Sequence, residues 1–223
     1  MKRRVEIEGV GFHVWDDDKQ LQIDDVTDVD LRKIWPKIES GFADYEKWYC
    51  CHNVDAPAFI YEIGAVLEDD CTEMRLHADS PEAKDLTGYE ISGMVRITED
   101  NFAEFAALHD ARSPDIAWTS ERLGREEELP RWAIFALRSG GGMDAYILLA
   151  VSNPTLAEIF VVEAPEAERR KALIAYAAKY AFENGKSEVL FQADRDSAEF
   201  KEALAVGFKI CGYYKGYRVG GTI

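Results

Sequence analysis

Residues 157–191 constrain the fold more than any other stretch of this sequence. Ala157–Val162 is an apolar run of strand length leading into Pro165. Proline suits the first position of a helix, where its missing N–H would have no partner anyway. Beyond it Leu173, Tyr176, Ala177 and Tyr180 recur at helical spacing, Asn184-Gly185 reads as a C-terminal cap, and Val189–Phe191 is a second short strand. A long helix held between two strands marks an α/β protein with a mixed sheet.

The surrounding elements fit that class. Ile91–Ile97 is a predicted strand, followed by a helix from about Glu99 to Arg112 with Phe102, Phe105 and Ala106 on one face. Trp118-Thr119-Ser120-Glu121 reads as a capped helix start, ended by Pro130. Trp132–Leu137 and Met143–Val151 flank Ser139-Gly140-Gly141-Gly142 as a hairpin. Ser197–Ala205 is a short helix, and Gly207-Phe208 opens a final strand pair running to Val219.

Nearer the start, Val5 with Ile7, Phe12–Trp15 and Leu21–Ile23 read as strands, with a turn at Asp16-Asp17-Asp18. Thr27-Asp28-Val29-Asp30 has the pattern of a capping box. Leu31, Ile34, Trp35, Ile38, Phe42 and Tyr45 follow at helical spacing, and Pro36 and Gly41 are expected to split that helix in two. Ala58–Leu67 and Cys71–Ala78 read as a second hairpin around Glu68-Asp69-Asp70. The expected division is an acidic α/β domain over residues 1–90 and a second domain over 91–223.

Composition narrows the function classes. Apolar residues make up 47% and aromatic residues 12% of 223 positions, which excludes collagen-like, disordered and disulfide-scaffold chains. No apolar run approaches the roughly 18 residues of a membrane span, so no membrane partner is expected. Four cysteines without a framework spacing fit reduced thiols and a cytoplasmic location. The net charge is −16, with 10 basic and 22 acidic side chains in the first 93 residues. Such a surface repels phosphate backbones, so no nucleic-acid partner is expected. It suits a cationic partner or amine substrate, or it serves solubility alone.

The element order, with Ala157-Glu158-Ile159-Phe160-Val161-Val162 ahead of a long helix and Gly207-Phe208-Lys209 near the end, resembles the GCN5-related N-acetyltransferase (GNAT) superfamily over about residues 91–219. Val95-Arg96-Ile97-Thr98-Glu99-Asp100-Asn101-Phe102 is similar to that family's first strand and helix. The resemblance implies a mixed, mostly antiparallel sheet flanked by helices. Residues 1–90 would be a partial copy of the same fold or an unrelated extension. It also implies acetyl transfer from acetyl-CoA, used as co-substrate, directly to a primary amine of a small molecule or peptide.

In that family a central strand splays from its neighbour, and its free backbone groups pair with the pantetheine arm. Ile159, Phe160, Val161 and Val162 take that place here. The pyrophosphate belongs at the next helix's N-terminus, where unpaired N–H groups and the helix dipole favour anions. Arg169, Arg170 and Lys171 would supply charge there, and Asp196 occupies the position of an Asn ahead of the last short helix. Glu158 matches a Glu that takes the amine proton in histone-acetylating members. Strand alternation would set Glu158, Phe160 and Val162 on one face, where the neighbouring apolar groups raise a carboxyl pKa.

The sequence also departs from the family. No glycine lies between Gly142 and Gly185, where the phosphate-binding turn is expected. Ala203 stands four residues before Gly207, in place of the Tyr that protonates the departing thiolate. Tyr213 and Tyr214 are the candidate replacements. A second reading therefore stays open: a GNAT-fold binding or interaction module without acyl-CoA chemistry. The oligomeric state is open as well.

Other constellations point to ordinary structure. Cys50-Cys51-His52 with Cys71 and His77 lacks the gap of paired zinc cysteines, so no metal site is expected. Asp16-Asp17-Asp18 lacks the spacing of a calcium loop. His109 shares a face with Phe102 and Phe105 and reads as a partly buried helix residue.

Overall fold

The computed structural model describes residues 2–89, 92–114, 118–124 and 129–220. In chain order the elements are β1 (Lys2–Ile7), β2 (Val10–Trp15), β3 (Gln20–Asp24), α1 (Asp28–Gly41), β4 (Glu46–His52), α2 (Ala58–Glu62) and β5 (Val66–His77). Then come α3 (Pro81–Lys84), β6 (Met94–Arg96), α4 (Phe102–Arg112), α5 (Trp118–Leu123), β7 (Trp132–Ser139) and β8 (Gly142–Ala150). The last are β9 (Leu156–Glu163), α6 (Ala167–Glu183), β10 (Glu188–Asp194), α7 (Ala198–Val206) and β11 (Lys209–Val219). The expected strand start at Ile91 lies outside the described residues.

Contacts divide the chain into Met1–Thr72 with Gly212–Ile223, and Glu73–Cys211. The sequence-based division at residue 90 falls inside the second unit. The physical reason is that strands β5 and β11, not a linker, carry the chain from one unit to the other.

In the first unit the strand order is β1-β2-β3-β4-β11. The pairs are antiparallel except β3/β4. Alternation on β2 and β3 turns Phe12, Val14, Leu21 and Ile23 inward against Leu31, Ile34 and Ile38 of α1. Thr27 caps α1 by accepting from the Asp30 N–H at 3.2 Å. The expected break does not occur: α1 runs unbroken through Pro36 to Gly41. Pro36 faces solvent, where water can satisfy the carbonyl it leaves unpaired, and buried Ile34, Trp35 and Ile38 hold the helix on both sides.

Two further expectations are corrected here. Ala58–Glu62 is a helix, and β5 passes straight through Glu68-Asp69-Asp70 as one strand. The acidic triplet stays extended as part of a strand with sheet neighbours, and Arg218 meets the Glu68 carboxylate at 2.6 and 2.9 Å. The chain's last strands are likewise a single strand, β11.

In the second unit the order is β5-β10-β9-β8-β7-β6. β9/β10 is parallel and β6/β7, β7/β8 and β8/β9 are antiparallel. Central strands here are covered on both faces, so they read as unbroken apolar runs. Phe135, Ile147 and Leu149 join Leu173 and Ala177 of α6 on one side, while Ile134, Tyr146 and Leu148 join Phe105 of α4 on the other. Ser197 caps α7 through the Phe200 N–H, and Gly207 ends it in the left-handed region at φ 114°. The long helix α6 begins at Ala167, two residues later than Pro165 suggests, with Glu166 as its N-cap. No described helix is long and apolar enough to cross a membrane.

Candidate functional site

The most informative geometry is where β9 leaves β10. The two pair in parallel from Leu156↔Glu188 to Ile159↔Phe191 and no further, although β9 continues to Glu163 and β10 to Asp194. On its other edge β9 stays paired with β8, but Leu149 faces Ile159 while Leu148 faces Val161, so Phe160 is an extra residue. Such a bulge bends and twists the strand that carries it. Here it lies at the point where the parallel ladder stops. The result is a wedge in which Phe160–Glu163 and Gln192–Asp194 have no ladder partners in each other.

The bulge also re-aims side chains. Ala157, Ile159, Val162 and Ala164 all enter the core under α6, while Val161 packs on the α4 side. Val162 therefore points away from Glu158, which corrects the expected grouping of Glu158, Phe160 and Val162 on one face. Phe160 is 44% exposed, and its ring meets Trp132 edge-on at 5.6 Å between centroids. Glu158 is half-buried on the paired part of β9. Nothing in the sequence marks the bulge, because its extra residue is a Phe and not the Gly that often signals one.

The predicted basic triplet sits in the first turn of α6, whose N-terminus no side chain caps. Each of the three cations is matched by a carboxylate. Arg169 pairs with Asp144 of β8 (Nη1–Oδ2 2.8 Å) and holds the Asp144 carboxyl below its usual pKa. Lys171 Nζ meets Glu168 Oε1 at 2.5 Å. Arg170 donates from Nε and Nη2 to both oxygens of buried Glu202 on α7, at 2.7 and 2.9 Å, and from Nη1 to the Ala164 carbonyl at 2.6 Å. Arg170 thus ties the turn after β9 to the helix after β10. Glu163, at the end of β9, has its carboxyl pKa pushed up by burial first and by the charge of Glu199 second.

The remaining predicted residues are dispersed. Asp196 is exposed, with φ 68°, in the turn before α7. Ala203 is fully buried in the core, so the thiolate's usual proton donor has no counterpart at that position. Tyr213 and Tyr214 belong to the first unit, whereas Glu158 and the triplet belong to the second. The Tyr213 N–H donates to Asn53 Oδ1 at 2.9 Å. Tyr214 has its hydroxyl 3.0 Å from Cys50 Sγ, and burial, then Cys50, drives its pKa far above that of a free phenol. Burial also pushes the Cys50 thiol up to about 12.

His109 is fully buried, with Nδ1 2.8 Å from the Tyr146 hydroxyl, which also meets Ser113 Oγ at 2.7 Å. Among the described residues no cluster of His, Cys, Asp or Glu is placed to hold a metal ion.

No protein-family model matches the chain, and no curated protein matches it significantly. Solved structures do. A functionally unknown conserved protein from Staphylococcus epidermidis aligns with a TM-score of 0.72 at 10% identity, over 99% of this chain and 95% of its own. A GCN5-related N-acetyltransferase from Kribbella flavida gives 0.72 at 15% identity, over 99% and 90%. A tandem GNAT protein from the clavulanic acid biosynthesis pathway gives 0.63 at 14% identity, over 96% and 79%. These alignments cover nearly the whole of this chain. The chain has the fold of the GCN5-related N-acetyltransferases.

Proposed function

We propose that this protein is an N-acyltransferase that binds acetyl-CoA in the wedge between β9 and β10 and passes the acetyl group to a primary amine. The observation that carries the reading is the end of the β9/β10 ladder at Ile159↔Phe191 while both strands run on. Backbone N–H and C=O groups freed there can take an extended, amide-bearing chain as a false strand, and buried groups of this kind need a partner. The pantetheine arm has that chemistry. Ile159, Phe160, Val161 and Val162 line its path, with Asp196 near the entry of the following helix.

Glu158 takes the proton as the amine nitrogen attacks the thioester carbonyl; the C–N bond forms, the C–S bond breaks, and the thiolate departs. A thiol pKa of about 8.5 makes that thiolate a modest leaving base, which solvent can protonate. Tyr214, bound to Cys50, is not needed for the step, nor is Tyr213.

A second reading has its own observation. Arg170 is already held by Glu202 and Ala164 across the mouth of the wedge, and Arg169 and Lys171 are likewise paired. In a module without acyl-CoA chemistry this clamp would simply be structural.

Calorimetric titration with acetyl-CoA separates the two. The acyltransferase reading expects micromolar affinity, tightened severalfold in Glu202→Gln because the variant releases Arg170 towards the diphosphate. Absence of heat and of thermal shift at millimolar ligand, in both proteins, overturns it.

A further inference from the structure

We infer that the second unit carries a separate pocket for an organic ammonium group, and that this pocket selects the acceptor of the proposed transfer; the assignment of the ligand as acceptor rests on that proposal, the pocket itself does not. The cavity has a volume of about 560 Å³, within the range of small-molecule sites. Ile97, Leu129, Pro130 and Trp132 give it apolar walls, and Glu99 and Asp100 stand on its lining. Those two carboxylates have no cationic partner among the described residues. Arg96 also lines the cavity, but its guanidinium lies over the Tyr180 ring, 5.3 Å from the centroid. The described lining thus sets two carboxylates against one guanidinium and is negative on balance.

An aromatic wall beside two carboxylates is the arrangement that holds an alkyl- or arylammonium ion: the indole face attracts the cation, and the carboxylates complement it. A neutral ligand of the same shape gains only the apolar part.

The position fits an acceptor. Trp132 is opposite Ala150, and Ala150 is opposite Glu158, so the three share one row and one face of the sheet. Two strand spacings put Trp132 roughly 10 Å from the β9 backbone at Glu158. Only the small side chain of Ala150 stands between them in that row. Phe160, the bulge residue at the tip of the wedge, reaches over to touch the Trp132 ring. An amine seated against Trp132 thus lies on the same face of the sheet as the carboxylate proposed as base.

Phenethylamine is a suitable probe, titrated calorimetrically into the whole protein at low ionic strength without acetyl-CoA, with 2-phenylethanol as its neutral counterpart. Wild type is expected to bind the amine at least fivefold more tightly than the alcohol. The double variant Glu99→Gln, Asp100→Asn should lose that preference while keeping its melting temperature, because both residues are exposed. Equal affinity for amine and alcohol, an unchanged preference in the double variant, or no amine binding by wild type overturns the inference. Amine binding in a protein that ignores acetyl-CoA upholds the pocket while the acyltransferase reading falls; acetyl-CoA binding without amine binding does the reverse.

Discussion

Single residues show where local chemistry suffices and where it does not. Gly207 ends α7 with φ 114°, and a Cβ placed on it would collide with the Glu82 side chain. Gly207→Ala is therefore expected to lower stability by at least ~1–2 kcal/mol, the left-handed penalty alone, as read from a urea melt. Thr27 was legible in the sequence as a cap, because it answers to a neighbour three positions away; Gly207 reads there only as the opening of the last strands, and its part in ending α7 was not legible. Nor was the Arg170–Glu202 pair. Its partners are 32 residues apart, and the sequence offers Arg170 several equally plausible carboxylates, Glu166 and Glu199 among them. Only the close packing of α6 on α7 selects one. Tyr214 teaches the same lesson: its partner Cys50 is 164 residues away, so nothing local announced that its hydroxyl was engaged.

At the scale of elements, periodicity placed most helices and strands of the second unit, including α4, α6, α7 and the β7/β8 hairpin. It failed where two rules competed. Proline argues against helix interiors, yet the apolar stripe of α1 wins because Leu31, Ile34 and Ile38 are fully buried. Replacing Pro36 by Ala restores a helix hydrogen bond and removes the ring's clash with the preceding turn. The gain is expected to be about 1–3 kcal/mol, offset in part by a more flexible unfolded chain, and to appear as a melting temperature raised by several degrees. An unchanged or lowered melting temperature would count against that account of the helix. The short strand β4 escaped notice because Tyr49, Cys50 and Cys51 are all buried, so it lacks the alternation that marks a half-exposed strand. The acidic triplet misled because three carboxylates in a row suggest a turn, whereas a strand's sheet neighbours, far away in sequence, hold it extended.

For the molecule as a whole, the fold class was legible and the division of the chain was not. Residues 212–223 belong with the first 72, since Tyr217 and Val219 complete the core formed by β2, β3, α1 and β4. A protein consisting of residues 1–72 alone is expected to lack a sharp thermal transition and near-ultraviolet dichroism. Adding a peptide spanning residues 209–220 should restore both, and cooperative unfolding of 1–72 without it would refute the assignment. The same arrangement sets an order of events during synthesis. Every residue of the second unit has left the ribosome's active centre before the strand that closes the first unit has been made. The earlier part of the first unit must thus wait, holding Cys50, Tyr49 and the inner faces of β2 and β3 without their final neighbour until residues 212–220 have been made.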